Sequence, residues 1–236
     1  MTLVLLVRHG LTATTGSVLT GWTQGIPIDD RGRRQAADLA ARLAPLRLDA
    51  IITSPLDRCR QTAAAVAAAG EERPAVVTDD RLGECHYGEW TGQPLKRLAR
   101  EPLWRVVQAH PGAARFPGVD GESILDMQHR AVTAIREWNE RLGADAVYLA
   151  CSHGDVIKAV IADSVGMHID MMQRIQVDPA SLTAIRYTPL RPFLVRMNDT
   201  GGAVDGLAST KPERKQQSAR SAQREAEAAV GGGAGG

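Results

Sequence analysis

No apolar stretch of this chain approaches the length needed to span a bilayer. The run at its N-terminal end, Leu3 to Val7, is shorter even than a signal-peptide core, and no basic residue precedes it. A soluble, cytoplasmic protein without a membrane partner is therefore expected. Cysteine is scarce too. Cys59, Cys85 and Cys151 are odd in number and lack C-x-x-C spacing, which argues against both a disulfide framework and a thiolate zinc site. Aromatic residues make up 4% of the sequence and the formal net charge is +1, so the stacking rings and basic field that nucleic-acid binding requires are both missing. Nucleic acid is excluded as an expected partner.

What is present is core-forming material. A chain of 236 residues with 44% hydrophobic content can fill one large domain. Thr2 to Val7 is a short apolar run of the kind buried on both faces of a parallel sheet, and it ends at Arg8-His9-Gly10. Ala146 to Ala150 is a second such run, leading through Cys151 and Ser152 to His153-Gly154. Val156, Ile157, Val160 and Ile161 then mark a helix face.

Asp49 to Ile52 reads as a third buried strand, followed by a helix start in which Ser54 caps, Pro55 takes the first helical position and Asp57 completes a capping box. That places Arg58 in the first helical turn. A further strand is expected over 75–78. Helical spacing recurs at Gln35, Ala36, Leu39 and Leu43, and again at Ile124, Met127, Ala131, Ile135 and Trp138, the latter helix ending near Gly143.

Strands alternating with helices predict an α/β fold, a three-layer sandwich whose central, mostly parallel sheet is flanked by helices. Ligands of such sheets bind beyond the carboxyl ends of the strands. His9, Arg58 and His153 fall at those ends, so three distant segments aim nitrogen-rich side chains at one crevice suited to an anion. The domain is expected to span 1–198. Beyond it, 199–236 is polar, low in complexity and closes on glycines, a composition that cannot bury a core; at most a short helix over 219–229 fits it.

The chemistry this set can supply is phosphoryl transfer. His9 attacks as neutral imidazole through one ring nitrogen while the other donates to a backbone carbonyl. Arg8 and Arg58 match phosphate oxygens with rigid guanidinium forks, and His153 adds a donor near a helix N-terminus. Gly10 admits close backbone approach. Glu84, after the expected strand over 75–78, is the first choice for the acid that protonates the leaving oxygen, with Glu89 in reserve. His110, His129 and His168 have no such company and read as surface or packing residues. Arg33, Arg34 and Arg60 read as solvated helix charges, Cys151 as inert core, and Trp22 and Trp90 as packing or pocket residues.

The order and spacing of several motifs resemble the histidine phosphatase superfamily, which includes the cofactor-dependent phosphoglycerate mutases. They are Leu6 to Gly10, Gly21-Trp22 with Gly32 and Gln35-Ala36, Thr53-Ser54-Pro55-Leu56 with Arg58 and Thr62, Leu82 with Glu84, Gly121-Glu122-Ser123, and His153-Gly154. The resemblance covers most of residues 1 to 190 and implies a phosphoglycerate mutase-like fold. It implies that His9 is phosphorylated, that Arg8, Arg58 and His153 hold the phosphate, and that Glu84 donates the proton. By similar placement Thr15 and Thr20, with Gly21 and Gly154, add phosphate contacts. Neither metal nor cofactor is implied.

Departures from the family pattern narrow the expectation. Leu11 stands where the family often has Glu after Arg-His-Gly, and Cys85 stands where the glycolytic mutases, which Glu84, His86, Tyr87, Gly88 and Lys96 resemble, carry Arg. No paired arginines precede Gly121, so the clamp for a second acidic group is missing. The expected function is a phosphomonoester hydrolase acting on a small phosphorylated metabolite. A phosphomutase using the same phosphohistidine, and a non-catalytic phospho-ligand binding module, are the alternatives; monomer and homodimer are both compatible with the sequence.

Overall fold

The computed structural model describes residues 1–70 and 72–201. Its centre is a six-stranded sheet in the order β3-β2-β4-β1-β5-β6. The strands are β1 (Thr2–Arg8), β2 (Ala50–Thr53), β3 (Val76–Thr78), β4 (Val147–Ser152), β5 (Leu182–Tyr187) and β6 (Pro192–Asp199). The first four run parallel, and β5 and β6 complete the sheet antiparallel. The expected α/β architecture is what the chain adopts.

The uninterrupted apolar run of β1 has a direct cause, because helices cover both faces of the sheet. Val4 and Leu6 point into a core shared with Ile135 and Trp138 of α5 (Ile124–Leu142) and Val160 of α6 (Gly154–Ser164). Leu3, Leu5 and Val7 point the other way, toward Leu39 and Leu43 of α1 (Asp30–Leu43) and Val66 of α2 (Asp57–Ala67). Each such side chain, fully buried, contributes about 1.5–3 kcal/mol from its removal from water. Two short helices, α3 (Leu95–Leu98) and α4 (Pro102–Ala109), lie between β3 and α5 in the chain.

Helix ends follow local chemistry. Asp29 caps α1 by accepting from Gly32 N at 2.8 Å. Ser123 and Asp126 form a reciprocal capping box on α5, which stops at Gly143 with φ +77°. The start of α2 differs from expectation: it begins at Asp57, its cap residue is Leu56 with no side-chain cap bond, and Pro55 lies outside the helix. Ser54 is turned to another task, described below.

The sheet's antiparallel edge was not foreseen. β6 is an edge strand with no fully buried residue, half-buried at most positions and with Val195 and Met197 facing solvent, so its sequence lacks the apolar run that marks the buried strands. β6 ends at Asp199, one residue beyond the expected domain end at 198. The stretch over 219–229 lies outside the described residues. Among the described residues no helix is long and apolar enough to cross a membrane.

Candidate active site

At the carboxyl ends of β1 and β4 a cleft of about 720 Å³ opens, lined by Arg8, His9, Thr12, Thr15, Thr20, Gly21, Arg58, Glu84, Gly154 and Asp155 among others. Parallel pairing of β1 with β4, with Arg8 opposite Ser152, brings the two His-Gly segments side by side. The rings of His9 and His153 meet edge to face, 5.2 Å between centroids. Arg58 arrives from the first turn of α2.

His9 is held in one tautomer. Its Nδ1 lies 2.7 Å from the carbonyl oxygen of Gly10, an atom that can only accept, so Nδ1 carries the proton and Nε2 presents a lone pair. Burial lowers the pKa of His9 to about 3, and the positive charges of Arg58 and Arg8 act in the same direction against the hydrogen bond to Gly10. The imidazole is thus neutral across the physiological range.

The two arginines are anchored yet retain unused donors. Arg8 Nη1 donates to Val177 O at 2.6 Å, and Arg58 Nη2 donates to Gly21 O at 2.7 Å. Arg8 Nε and Arg58 Nη1 are buried without a hydrogen-bond partner among the described residues. Buried guanidinium donors are costly to leave unpaired, so their placement points to an anionic partner.

His153 is fully buried behind Arg58 and does not line the open cleft. Its Nε2 lies 2.7 Å from Ser54 Oγ, and its Nδ1 is 3.3 Å from Arg58 Nη2. Ser54, expected as a helix cap, therefore orients this ring, although its Oγ still accepts from Leu56 N at 3.3 Å. Burial, followed by the charges of Arg58 and the other neighbouring bases, holds the His153 pKa well below its ordinary value.

Gly10 is also required by the fold itself. A Cβ there would sit 2.7 Å from the carbonyl oxygen of Gly32, so the glycine lets the loop after β1 press against the start of α1. Its N donates to Thr62 Oγ1 at 3.0 Å. Leu11 N donates to Gln35 Oε1 at 3.0 Å, which gives the Gly32 and Gln35 motif a structural reason. Thr15 and Thr20 do line the cleft, tied into a hydroxyl network with Thr12 and Thr14 at 2.9–3.1 Å.

Glu84 faces the same cleft, its side chain 14% exposed and its Oε2 3.7 Å from His153 Nδ1. Oε1 accepts from Cys85 N at 3.0 Å. Burial pushes the carboxyl pKa up to about 7, assisted by the negative charge of Asp155 and opposed by Arg58, the Cys85 N–H and Arg8. A carboxyl of that kind holds a proton near neutrality and can release it. Glu89, by contrast, is exposed and borders a separate hollow with Trp22 and His86.

Arg130 fastens the Glu84 loop, a role that sequence reading missed. It grips Glu122 with two bonds of 2.8 Å and donates to the carbonyls of Arg81, Gly83 and Glu84 at 2.7–2.9 Å. Trp22 Nε1 donates to the Glu84 carbonyl as well, and the Trp22 ring stacks on His86 at 4.3 Å. Asp155 was also missed. It accepts from Tyr87 Oη at 2.9 Å and from Lys158 Nζ at 3.4 Å, joining the acid loop to α6. The one hint was its position two residues after His153.

The remaining residues fall where expected. His110, His129 and His168 are exposed, as are Arg33, Arg34 and Arg60. Trp90 is packed in the core, and Cys85 and Cys151 are buried with thiol pKa values pushed well up by burial. Lys96 is exposed and does not line the cleft.

The family model of the histidine phosphatase superfamily (branch 1) matches residues 4–200. A relative from Yersinia enterocolitica named probable phosphoglycerate mutase GpmB is 32% identical over 187 residues, covering 78% of this chain and 84% of its own. Among solved structures, YhfR of Bacillus stearothermophilus superposes with a TM-score of 0.76 at 26% identity, over 84% of this chain and 98% of the other. A phosphoserine phosphatase from Entamoeba histolytica, solved with phosphoserine, gives 0.74 at 24% identity over 85% and 98%, a likeness of fold. With its two His-Gly segments joined at one cleft, the chain belongs to the histidine phosphatase superfamily and is an enzyme of the phosphatase or phosphomutase kind.

Proposed function

We propose that the chain is a phosphomonoester hydrolase that acts on a small phosphorylated metabolite through a phosphohistidine on His9. The observation that carries this reading is the tautomer: with Nδ1–H engaged by Gly10 O, the free lone pair belongs to Nε2 in a cleft furnished with Arg8 and Arg58. Nε2 attacks phosphorus, the ester P–O bond breaks, and Glu84 gives its proton to the departing oxygen. Water then attacks the phosphohistidine, Glu84 takes up the proton, and the N–P bond breaks to return neutral His9 and inorganic phosphate.

Arg8 and Arg58 bind the equatorial oxygens in this scheme, and the hydroxyls of Thr15 and Thr20 with the backbone at Gly21 and Gly154 complete the cradle. His153 acts through Arg58, accepting at Nδ1 from Nη2 while its Nε2 pairs with Ser54 Oγ, and so holds the guanidinium toward the phosphate. The whole activity is assigned to the domain ending with β6. The phosphomutase reading is kept beside it because relatives above 30% identity are named as probable phosphoglycerate mutases. In a mutase the phosphohistidine passes its group to a second hydroxyl instead of water.

The test is turnover of p-nitrophenyl phosphate and a panel of phosphorylated metabolites with product analysis. Released phosphate, with acid-labile and base-stable labelling of the protein that His9→Ala abolishes along with at least about 10⁴-fold of the rate, is the expected result. Isomerised ester with little free phosphate would replace the hydrolase by the mutase. A folded protein that binds phosphate but is never labelled would make it a binding module.

A further inference from the structure

We propose that Trp22 is a positioning residue: with Gly21 it forms a strap that fixes the proton donor Glu84 relative to the phosphate-binding Arg58. The inference deepens the hydrolase reading and rests on it for turnover. Gly21-Trp22 is one of the motifs that stand out in the sequence, yet neither the nucleophile nor the phosphate cradle gives its indole a task.

The two residues make fixed contacts in opposite directions. The carbonyl oxygen of Gly21 accepts from Arg58 Nη2 at 2.7 Å, and the indole Nε1 of Trp22 donates to the carbonyl oxygen of Glu84. A single planar peptide unit joins the two anchor points, which leaves little slack between the guanidinium and the backbone of the acid. Thr23, Gln24 and Gly25, which follow, are exposed, so this loop is tied down at Gly21 and Trp22 and released immediately after them.

The indole is seated closely enough to measure distance. A Cβ on Gly83 would stand 2.2 Å from Trp22 Cζ2, so the ring rests against the backbone just before Glu84. The same ring stacks on His86, 13° from parallel. His86 is pinned in turn, its N donating to Glu122 Oε2 at 2.8 Å and its carbonyl oxygen accepting from Glu122 N at 2.9 Å. Trp22 therefore contacts residues 83 and 86 while its N–H takes the carbonyl of residue 84. Arg130 Nη2 uses the other lone pair of that carbonyl, at 2.9 Å. Arg130 ties the loop to α5, whereas Trp22 ties it to the phosphate site, and only the second tie sets the acid against Arg58. A general acid displaced by about 1 Å loses its reach to the leaving oxygen, so the effect belongs to kcat and not to phosphate binding.

The test uses two substitutions: Trp22→Phe keeps a ring and removes the donor, and Trp22→His returns a ring N–H at the same number of bonds from Cα. In Trp22→Phe, kcat on glycerol 3-phosphate is expected to fall roughly fivefold to tenfold, with a much smaller loss on p-nitrophenyl phosphate and an inhibition constant for inorganic phosphate within about twofold of wild type. Trp22→His recovers most of the loss. In a Glu84→Gln background Trp22→Phe costs nothing further, because the acid it positions is gone. Equal losses on both esters, weakened phosphate inhibition, or a full further loss in Glu84→Gln overturns the proposal and makes Trp22 a packing residue. If no ester is turned over, the hydrolase reading fails, and the strap is decided by ¹³C NMR titration of the Glu84 carboxyl. That carboxyl faces Asp155 of α6, Arg58 of α2, and Arg8 and His153 at the ends of β1 and β4, none of which the substitution alters. A titration about half a unit or more lower in Trp22→Phe, as a loosened loop admits water, and restored in Trp22→His, upholds the strap; an unmoved titration overturns it.

Discussion

The floor of the cleft and its outer wall are built on different terms. On the floor, His9 and Arg58, with His153 buried beneath them, are 6%, 2% and 0% exposed, come from the ends of packed strands or the helix that follows, and are tied to backbone carbonyls or to one another. On the wall, Arg174 and Gln176 are exposed and sit in a 3-10 turn and the loop after it, with few fixed partners. Preorganised donors on rigid elements suit charge that develops in a transition state, whereas adjustable side chains on loops suit the choice of substrate. In the proposed scheme the floor carries the reaction and the wall is suited to its selectivity.

Arg58→Lys is the sharpest way to break that contrast. Arg58 uses one nitrogen to reach both Gly21 O and His153 Nδ1 while Nη1 is left for a ligand, a geometry that a single ammonium cannot reproduce. A loss of about 10²–10³ in kcat/KM on p-nitrophenyl phosphate is expected. Steady-state kinetics that put Arg58→Lys within a factor of a few of Arg174→Gln on this ester would erase the distinction between floor and wall.

Glu84→Gln comes next in size. The amide keeps the shape and loses the proton, so kcat is expected to fall about 10²-fold on esters with poor leaving groups, and much less on p-nitrophenyl phosphate, whose leaving group needs little protonation. In the proposed scheme, where Glu84 donates the proton and burial pushes its carboxyl pKa up to about 7, the wild-type kcat/KM should also decline as pH rises through that value. Loss of that alkaline limb in Glu84→Gln, on a profile measured from pH 6 to 9, is the expected signature. A limb that persists unchanged would assign it to another group.

The same division explains what could be read from the residues alone. β1 and β4 were legible because both faces are buried, which leaves an unbroken apolar run, and His9 and Arg58 follow from where those runs stop. β6 was not, because an edge strand that is only half-buried mixes polar residues into its pattern. Ser54 misled because Ser-Pro-Leu-Asp has the composition of a helix cap, while the packing of β2 against β4 brings its hydroxyl to His153 instead. For Gly10 the residues alone did not show a second reason, the backbone of Gly32 pressed against it, a tertiary contact that no local spacing encodes. Asp155 and Lys158 were invisible for a broader reason, since their meaning depends on which turn packs over α6.

Asp155 is where floor and wall touch, and the smallest of the expected effects falls there. Its carboxylate accepts from Tyr87 on the acid loop and from Lys158 on the wall, and its charge helps to keep Glu84 protonated against Arg8, Arg58 and the Cys85 N–H. In Asp155→Asn the bond from Tyr87 survives on the amide oxygen, but the negative charge is gone and Lys158 is left uncompensated. Both changes favour the ionised form of Glu84, so its pKa must fall and the alkaline limb of kcat/KM must move below pH 7, by roughly half a unit to one unit. Tyr87→Phe provides the contrast: it removes the bond and leaves the charge, so it loosens the loop and lowers kcat without moving the limb downward. A limb that stays in place in Asp155→Asn while kcat falls would reduce Asp155 to a structural strut, and the wall would then have no electrical influence on the floor.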